Sequence, residues 1–239
     1  EIQNGCNHSC TFCIIPQGRG LSKSVPMDTI LEKIRNLVNK GFKEIVLTGV
    51  DITCWGSDIA GNDRLGDLVN KILNETPNLP RLRLSSLDVS EMDDRLIQIY
   101  KSNERMMPHL HLSLQSGNNL ILKRMKRRHS REQAIDLCRN LKAARPELTF
   151  GADLIAGFPT ESDTMFLDTV KLIDECDINW LHIFPYSERP NTPAGRMPQV
   201  EKSEIVKRSK TLRELAQRKK IQHFTKLKNK PLSVLMESE

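Results

Sequence analysis

The chain of 239 residues has little aromatic content, 5%, with two Trp and two Tyr. No apolar run approaches the roughly 18 to 20 residues that span a bilayer. The opening residues also lack the basic, apolar and small-residue zones of a signal peptide. A soluble, cytoplasmic chain with no membrane partner is the expectation. Internal repeats and low-complexity tracts are absent, and 38% hydrophobic content suffices for one ordinary globular core. An initiating methionine is missing as well: Glu1 opens the chain and the polar stretch 236–239 closes it, so a piece of a longer protein is expected.

A disulfide framework is the next absence. The cysteines stand at 6, 10, 13, 54, 138 and 176, three crowded within eight residues and three scattered singly. Disulfide scaffolds belong to short secreted chains, whereas a tight cluster in a long chain points to a metal or to catalysis in a reducing compartment. Most of the chain also lacks any excess of charge. Residues 201–239 hold eleven Lys and Arg against five Glu, which accounts for the whole net charge of +6. That segment either favours an anionic partner, nucleic acid first, through counterion release, or is a solvated helix face.

What is present is alternation. Residues 26–40 read as a helix with Ile30, Leu31, Ile34, Leu37 and Val38 on one stripe and Gly41 after it. A strand at 43–48 follows, and the pattern repeats: helix 64–75, strand 81–86, helix 93–101, strand 109–115, helix 131–144, strand 148–155, helix 163–176 and strand 180–184. With a first strand at 2–4, six strands separated by helices predict an α/β fold, a parallel sheet or partial (β/α)6 barrel. Two strands favour the barrel. His109, His111, Ser113 and Gln115 alternate with leucines, and Arg81, Arg83 and Ser85 do the same, which a sheet covered on both faces would not tolerate. Arg83, Ser85, His111, Ser113, Gln115 and Asp153 are therefore expected to line a polar lumen, the alternative being a solvent-exposed edge. Met106 and Met107 are expected in the core. A turn-rich loop ends the barrel, residues 201–229 read as a long basic helix that Pro231 closes, and residues 232–236 suggest the start of a strand.

Cys6, Cys10 and Cys13 form a C-x3-C-x2-C run directly after the first strand. Three thiolates from one loop can hold three irons of a [4Fe-4S] cube and leave the fourth iron open, which makes a reactive site. Structural zinc takes four ligands, so that reading must recruit His8 or a distant cysteine. Three ordinary buried cysteines are the remaining alternative. Cys54, Cys138 and Cys176 read as buried or incidental thiols. The run Lys123 to His129 reads either as a solvated helix end or as a contact for RNA phosphates.

The cysteine run, with Phe12 before its last member, resembles the radical S-adenosylmethionine (SAM) superfamily. Segments 47–51, 113–117, 156–161 and 184–187 further resemble its methylthiotransferases, over about residues 1–198, and within them the MtaB group. The resemblance implies a barrel of the radical SAM type and tRNA methylthiolation at C2 of N6-threonylcarbamoyladenosine 37. An isopentenyladenosine or a ribosomal protein is the alternative substrate. From a different class, a non-catalytic metal-stabilised RNA-binding module stays open. It also implies that Cys6, Cys10 and Cys13 ligate a [4Fe-4S] cluster, and that S-adenosyl-L-methionine chelates its open iron and yields a 5′-deoxyadenosyl radical. Thr48, Gly49, Val50 and Asp51 match the segment beside the SAM methionine. Gly157, Phe158, Pro159 and Glu161 match a segment whose backbone approaches adenine, and Ser113 and Gln115 are further cofactor-binding candidates. The implied organisation is a catalytic domain at 1–198, a basic helical linker at 199–230 and the start of a TRAM-like RNA-binding domain at 231–239. A second [4Fe-4S] cluster on a preceding domain, an electron donor of the flavodoxin or ferredoxin type and a sulfur source complete what it implies. On that ground the chain alone is expected to cleave SAM without completing methylthiolation.

Overall fold

The computed structural model describes residues 1–236. Its strands are β1 (Gln3–Asn4), β2 (Lys23–Ser24), β3 (Glu44–Leu47), β4 (Arg81–Leu84), β5 (His109–Gln115), β6 (Thr149–Ala156) and β7 (Ile178–Pro185). All but β2 run parallel in one curved wall. β1 meets β3 where Gln3 bridges Gly49, β3 pairs with β4 from Glu44 opposite Arg81, and β4 meets β5 through Leu82–Met106 and Leu87–Leu112. β5, β6 and β7 then pair in order. The outcome is the expected partial barrel, open between its first and last strands. The sequence reading missed β2, a two-residue strand too short to show a period, which pairs antiparallel with β1.

Helices α1 (Ile15–Arg19), α2 (Met27–Asn39), α3 (Leu65–Glu75), α4 (Asp94–Ser102), α5 (Asn119–Arg124), α6 (Arg131–Ala144), α7 (Asp163–Glu175) and α8 (Lys202–Leu227) fill the connections. Their starts follow local chemistry. Asp93 accepts from Leu96 N at the head of α4, and Ser130 and Gln133 form a reciprocal cap on α6. Ile30, Leu31 and Ile34 of α2, with Leu68, Val69 and Ile72 of α3, press onto the outer face of the wall against Leu82, Leu84, Leu110, Leu112 and Leu114. Each such fully buried aliphatic side chain contributes about 1.5–3 kcal/mol. Met106 and Met107 are buried as expected.

The alternate positions of the same strands face inward. Glu44 and Val46 of β3, Arg81 and Arg83 of β4, His109 and His111 of β5, and Asp153 of β6 share that side. The open edge at β7 is covered by α8. Ile205 near its start rests on Gly157, and Phe224 near its end meets Trp180 with ring centroids 5.6 Å apart. The helix therefore runs antiparallel to β7, bringing the chain's excess positive charge to the barrel's open side. No helix among the described residues is long and apolar enough to cross a membrane. Residues 231–236 carry neither helix nor strand, because a strand there has no neighbour to complete its hydrogen bonds. The rest of the 231–239 segment lies outside the described residues.

Candidate functional site

The cysteine loop leaves the C-terminal end of β1 through Gly5, whose φ of +72° and 2.1 Å approach of a would-be Cβ to Leu21 O admit only glycine. Thr11 then knits the loop to two distant segments. Its N–H donates to Met125 O at 3.1 Å, its hydroxyl to Arg124 O at 2.8 Å, and its carbonyl accepts from Ala194 N at 3.0 Å. Cys6, Cys10 and Cys13 are half-buried free thiols. Backbone N–H groups point at two of them, His8 N to Cys6 Sγ and Ile15 N to Cys13 Sγ, both at 3.4 Å, and Arg127 Nη1 lies 3.9 Å from Cys10 Sγ. Burial pushes the Cys6 and Cys13 thiols up, and these N–H donors pull against it. Donors aimed at sulfur stabilise thiolates and tune iron–sulfur clusters. Zinc would need a fourth ligand beside these three thiols, whereas three suffice to hold a [4Fe-4S] cluster with one open iron.

Beside the loop lies a dense ion network. His8 Nε2 stands 2.7 Å from Asp51 and 3.3 Å from Glu91, and Cys54 Sγ donates to Glu91 at 3.0 Å. Hydrogen bonds to Asp51, Cys54 and Glu91 push the His8 imidazole up to about 12. Burial would raise Glu91, but the bonds from His8, Cys54 and Arg128 hold it at about 2. Arg128 completes the network, its guanidinium 2.8 Å from His8 Nε2 and paired with Glu91. Two expectations change here. Cys54 is not an incidental thiol: it belongs to this network, and burial first of all pushes it up to about 12. Cys138 and Cys176 are buried as expected. The basic run at 123–129 is divided between solvent and protein. Arg124 donates to Thr160, Arg127 pairs with Asp88 at 2.8 Å, and His129 is buried, while Lys123, Lys126 and Arg128 are exposed, the last with its side chain 46% exposed even as it pairs with Glu91. The paired side chains find carboxylates and carbonyls at the strand ends, which a linear reading does not place.

The segments matched to cofactor binding all reach the same rim. At 48–51, Thr48 O accepts from Ile2 N, and Gly49 lies so close to β1 that a Cβ would stand 2.6 Å from Gln3 O. Asp51 N donates to Gln3 at 2.8 Å while its carboxylate is taken by His8, leaving the backbone around Val50 as the free surface. At the end of β5, Ser113 offers its carbonyl to Arg127, and Gln115 sits at φ +66° with no side-chain hydrogen bond among the described residues. A non-glycine residue in that region stores strain of the kind found at functional sites. At 157–161, Gly157 (φ +75°) abuts Ile205, and Thr160 also has positive φ, 69°. The side chains of Phe158 and Glu161 point into protein. Phe158 is fully buried, edge-on to Phe12 and Tyr186, so it braces the cysteine loop. Glu161 accepts from Gly157 N at 2.9 Å and from Arg208 at 3.0 Å, and burial pushes its carboxyl up. Only backbone from this segment, including Pro159, is left to meet a ligand. In the lumen, Arg83 pairs with Glu44 at 2.8 Å, His111 with Asp153 at 3.0 Å, and Ser85 Oγ is buried with no partner among the described residues.

A sulfur-lined loop after β1, facing three other strand ends of a parallel half-barrel, can be compared with known proteins. The radical SAM superfamily matches residues 1–173. The chain belongs to that superfamily. Membership carries a [4Fe-4S] cluster and S-adenosylmethionine as the family's cofactors. Over 214 residues, 90% of the chain and 51% of the relative, it is 53% identical to a threonylcarbamoyladenosine tRNA methylthiotransferase MtaB of Rickettsia prowazekii. It is 34% identical, over 100% of the chain and 46% of the relative, to a tRNA-2-methylthio-N(6)-dimethylallyladenosine synthase of Shouchella clausii. The chain spans about half the length of these curated relatives. Among solved structures, the radical SAM methyltransferase TsrM of Kitasatospora setae, with cobalamin and a [4Fe-4S] cluster bound, shares the fold. Its TM-score is 0.63 at 17% identity, covering 81% of this chain and 37% of that one.

Three residues of this radical SAM chain escaped sequence reasoning. Thr11 fastens the cysteine loop, Arg127 joins Asp88 to the Ser113 carbonyl and to Cys10, and Arg208 on α8 grips the 157–161 segment. Arg127 stands in a visible basic run, but nothing in the sequence separates it from its neighbours. Arg208 lies on a helix whose other cations, Lys219 apart, are exposed.

Proposed function

We propose that the chain is the catalytic core of a tRNA methylthiotransferase that acts at C2 of N6-threonylcarbamoyladenosine 37, next to the anticodon. The observation that carries this reading is the 53% identity to a relative named for that nucleoside, over 90% of the chain, against 34% to one named for the dimethylallyl nucleoside. Within it, Cys6, Cys10 and Cys13 hold the [4Fe-4S] cluster, with the N–H groups of His8 and Ile15 and the Arg127 guanidinium beside their sulfurs. When bound, the cluster supplies the electron that breaks the sulfur to 5′-carbon bond of S-adenosylmethionine. The protein's own part is to position. Backbone around Thr48, Gly49 and Val50 and at Gly157 to Glu161, with Ser113 and the strained Gln115, frames the cofactor at the rim, and the lumen below receives the base.

The reading assigns 1–198 as the catalytic domain, 199–230 as a basic linker and 231–239 as the opening of an RNA-binding module. It calls for a second [4Fe-4S] cluster on a domain outside this chain, a flavodoxin- or ferredoxin-type electron donor, a sulfur source, and a cytoplasmic setting where tRNA is modified. The test is nucleoside mass spectrometry of tRNA from cells lacking the gene. Loss of the methylthio form of threonylcarbamoyladenosine is expected. Loss of the methylthio-isopentenyl nucleoside instead overturns the substrate, and an unchanged tRNA overturns the activity.

A further inference from the structure

Three adjacent strands bring His111, Asp153 and His182 together halfway down the lumen. His111 Nε2 donates to Asp153 Oδ1 at 3.0 Å, His182 Nδ1 lies 3.3 Å from the same oxygen, and the two rings lie 4.7 Å apart. The arrangement is seated: Gly151 faces His111, and a Cβ there would come within 2.4 Å of its Nδ1. His111 is nearly buried, but the His182 side chain is 64% exposed. With Nδ1 committed to Asp153, its Nε2 is the free end. It can accept a hydrogen bond from an N–H group or, as the N–H of an imidazolium beside Asp153, donate one to an anion.

His182 also forms the wall of a cavity of about 290 Å³ between β7 and α8. The rest of that wall supplies Asn179 and Trp180 from the strand and Arg213, Gln217 and Lys220 from the helix, and no Asp or Glu lines it. Two cations, an imidazole and two amides without a carboxylate suit an acidic, hydrogen-bonding group. Above it, Phe184 is half exposed on the same face of β7, two residues toward the cofactor rim. Two residues of strand span about 7 Å, the reach of a short side chain hanging from a base held at the level of Phe184.

We infer that His182, backed by Asp153 and His111 and flanked by Arg213 and Lys220, is the subsite that reads the N6 substituent of the target adenosine. It takes a polar substituent that ends in a carboxylate. An isopentenyl group can touch Trp180, Leu181 and Ala216 but leaves the imidazole, guanidinium and ammonium groups unpaired, the situation in which binding sites discriminate most strongly. This inference rests on the tRNA reading above and deepens it.

The test measures affinities of the intact protein for three anticodon stem-loops carrying adenosine, threonylcarbamoyladenosine or isopentenyladenosine at the target position. The wild type is expected to prefer the threonylcarbamoyl loop over the isopentenyl loop by roughly 10- to 100-fold. His182→Phe and Arg213→Gln are each expected to cut that preference at least 10-fold, roughly one lost charge-assisted contact, with binding of the unmodified loop unchanged. An unaltered preference in both variants overturns the inference and leaves the tRNA reading standing. An equal loss for all three loops also overturns it, because the cavity then holds a backbone phosphate. Failure of the wild type to bind any loop brings down the tRNA reading itself, and this inference with it.

Discussion

Removing Arg208 tests whether α8 belongs to the catalytic domain or merely leads out of it. The Arg208 side chain is 7% exposed and that of its partner Glu161 1%. Nη1 donates to Glu161 O at 2.8 Å and to its carboxylate at 3.0 Å, while the bond to Asp163 engages a carboxylate that is itself solvated. Taking away one member of a buried pair strands the other charge and costs about 3–5 kcal/mol, whereas the exposed Asp163 contact adds little. Glu161 has a way out, since burial already pushes its carboxyl up and it can take a proton. The loss in Arg208→Met should therefore sit near the lower bound, about 3 kcal/mol, seen as a fall of roughly 6–12 °C in Tm for a domain of this size.

Two further readouts isolate the cause. In the double variant Arg208→Met/Glu161→Gln the stranded charge is gone and the amide oxygen still accepts from Gly157 N, so about 1–2 kcal/mol should return. The single variant should also lose stability as pH rises. Its folded Glu161 keeps a proton to higher pH than the unfolded chain does, so the folded state binds more protons above the unfolded value, and the slope is negative. Urea unfolding of both variants across pH 5 to 8 measures all of this. An Arg208→Met protein within 1 kcal/mol of wild type, or a double variant no more stable than the single one, refutes the reasoning.

Cys10→Ala, reconstituted anaerobically with iron and sulfide, should lose the iron–sulfur absorbance and nearly all bound iron, while Cys54→Ala keeps both; a chain that instead takes up zinc and no iron overturns the cluster assignment. Burial, with Arg83 nearby, pushes His109 down to about 4, and burial, with Arg127 nearby, does the same to His129. Both are neutral when folded and charge when unfolded. Their contribution is therefore complete above about pH 6.5 and lost as pH falls toward 4, with a slope approaching about 1.4 kcal/mol per pH unit for each. His129→Gln should remove one proton from that slope in urea titrations between pH 4 and 6.5, and an unchanged slope counts against the burial argument.

What the sequence disclosed and what it withheld divide along the range of the interaction involved. Alternation is local, so Leu110, Leu112 and Leu114 against His109, His111 and Ser113 told which face of β5 is inward before any partner was known. The cysteine spacing is local too, because one loop supplies every protein ligand of a three-thiolate site. Arg208 and Glu161 lie 47 residues apart, and Arg127 and Asp88 39 apart. Arg, Asp and Glu are the side chains that ordinarily stay in water, so composition and periodicity assign them to the surface by default. The buried side chains of Phe158 and Glu161 were hidden for the same reason. A motif marks where the backbone must pass, but whether its side chains face the ligand depends on Phe12, Tyr186 and Arg208, which arrive from elsewhere in the chain. In this half-barrel the rim is held by pairs that long-range folding completes, and α8 is part of it. A chain cut before residue 208 would keep every cysteine and every matched segment and still lose the clamp that holds one of those segments in place.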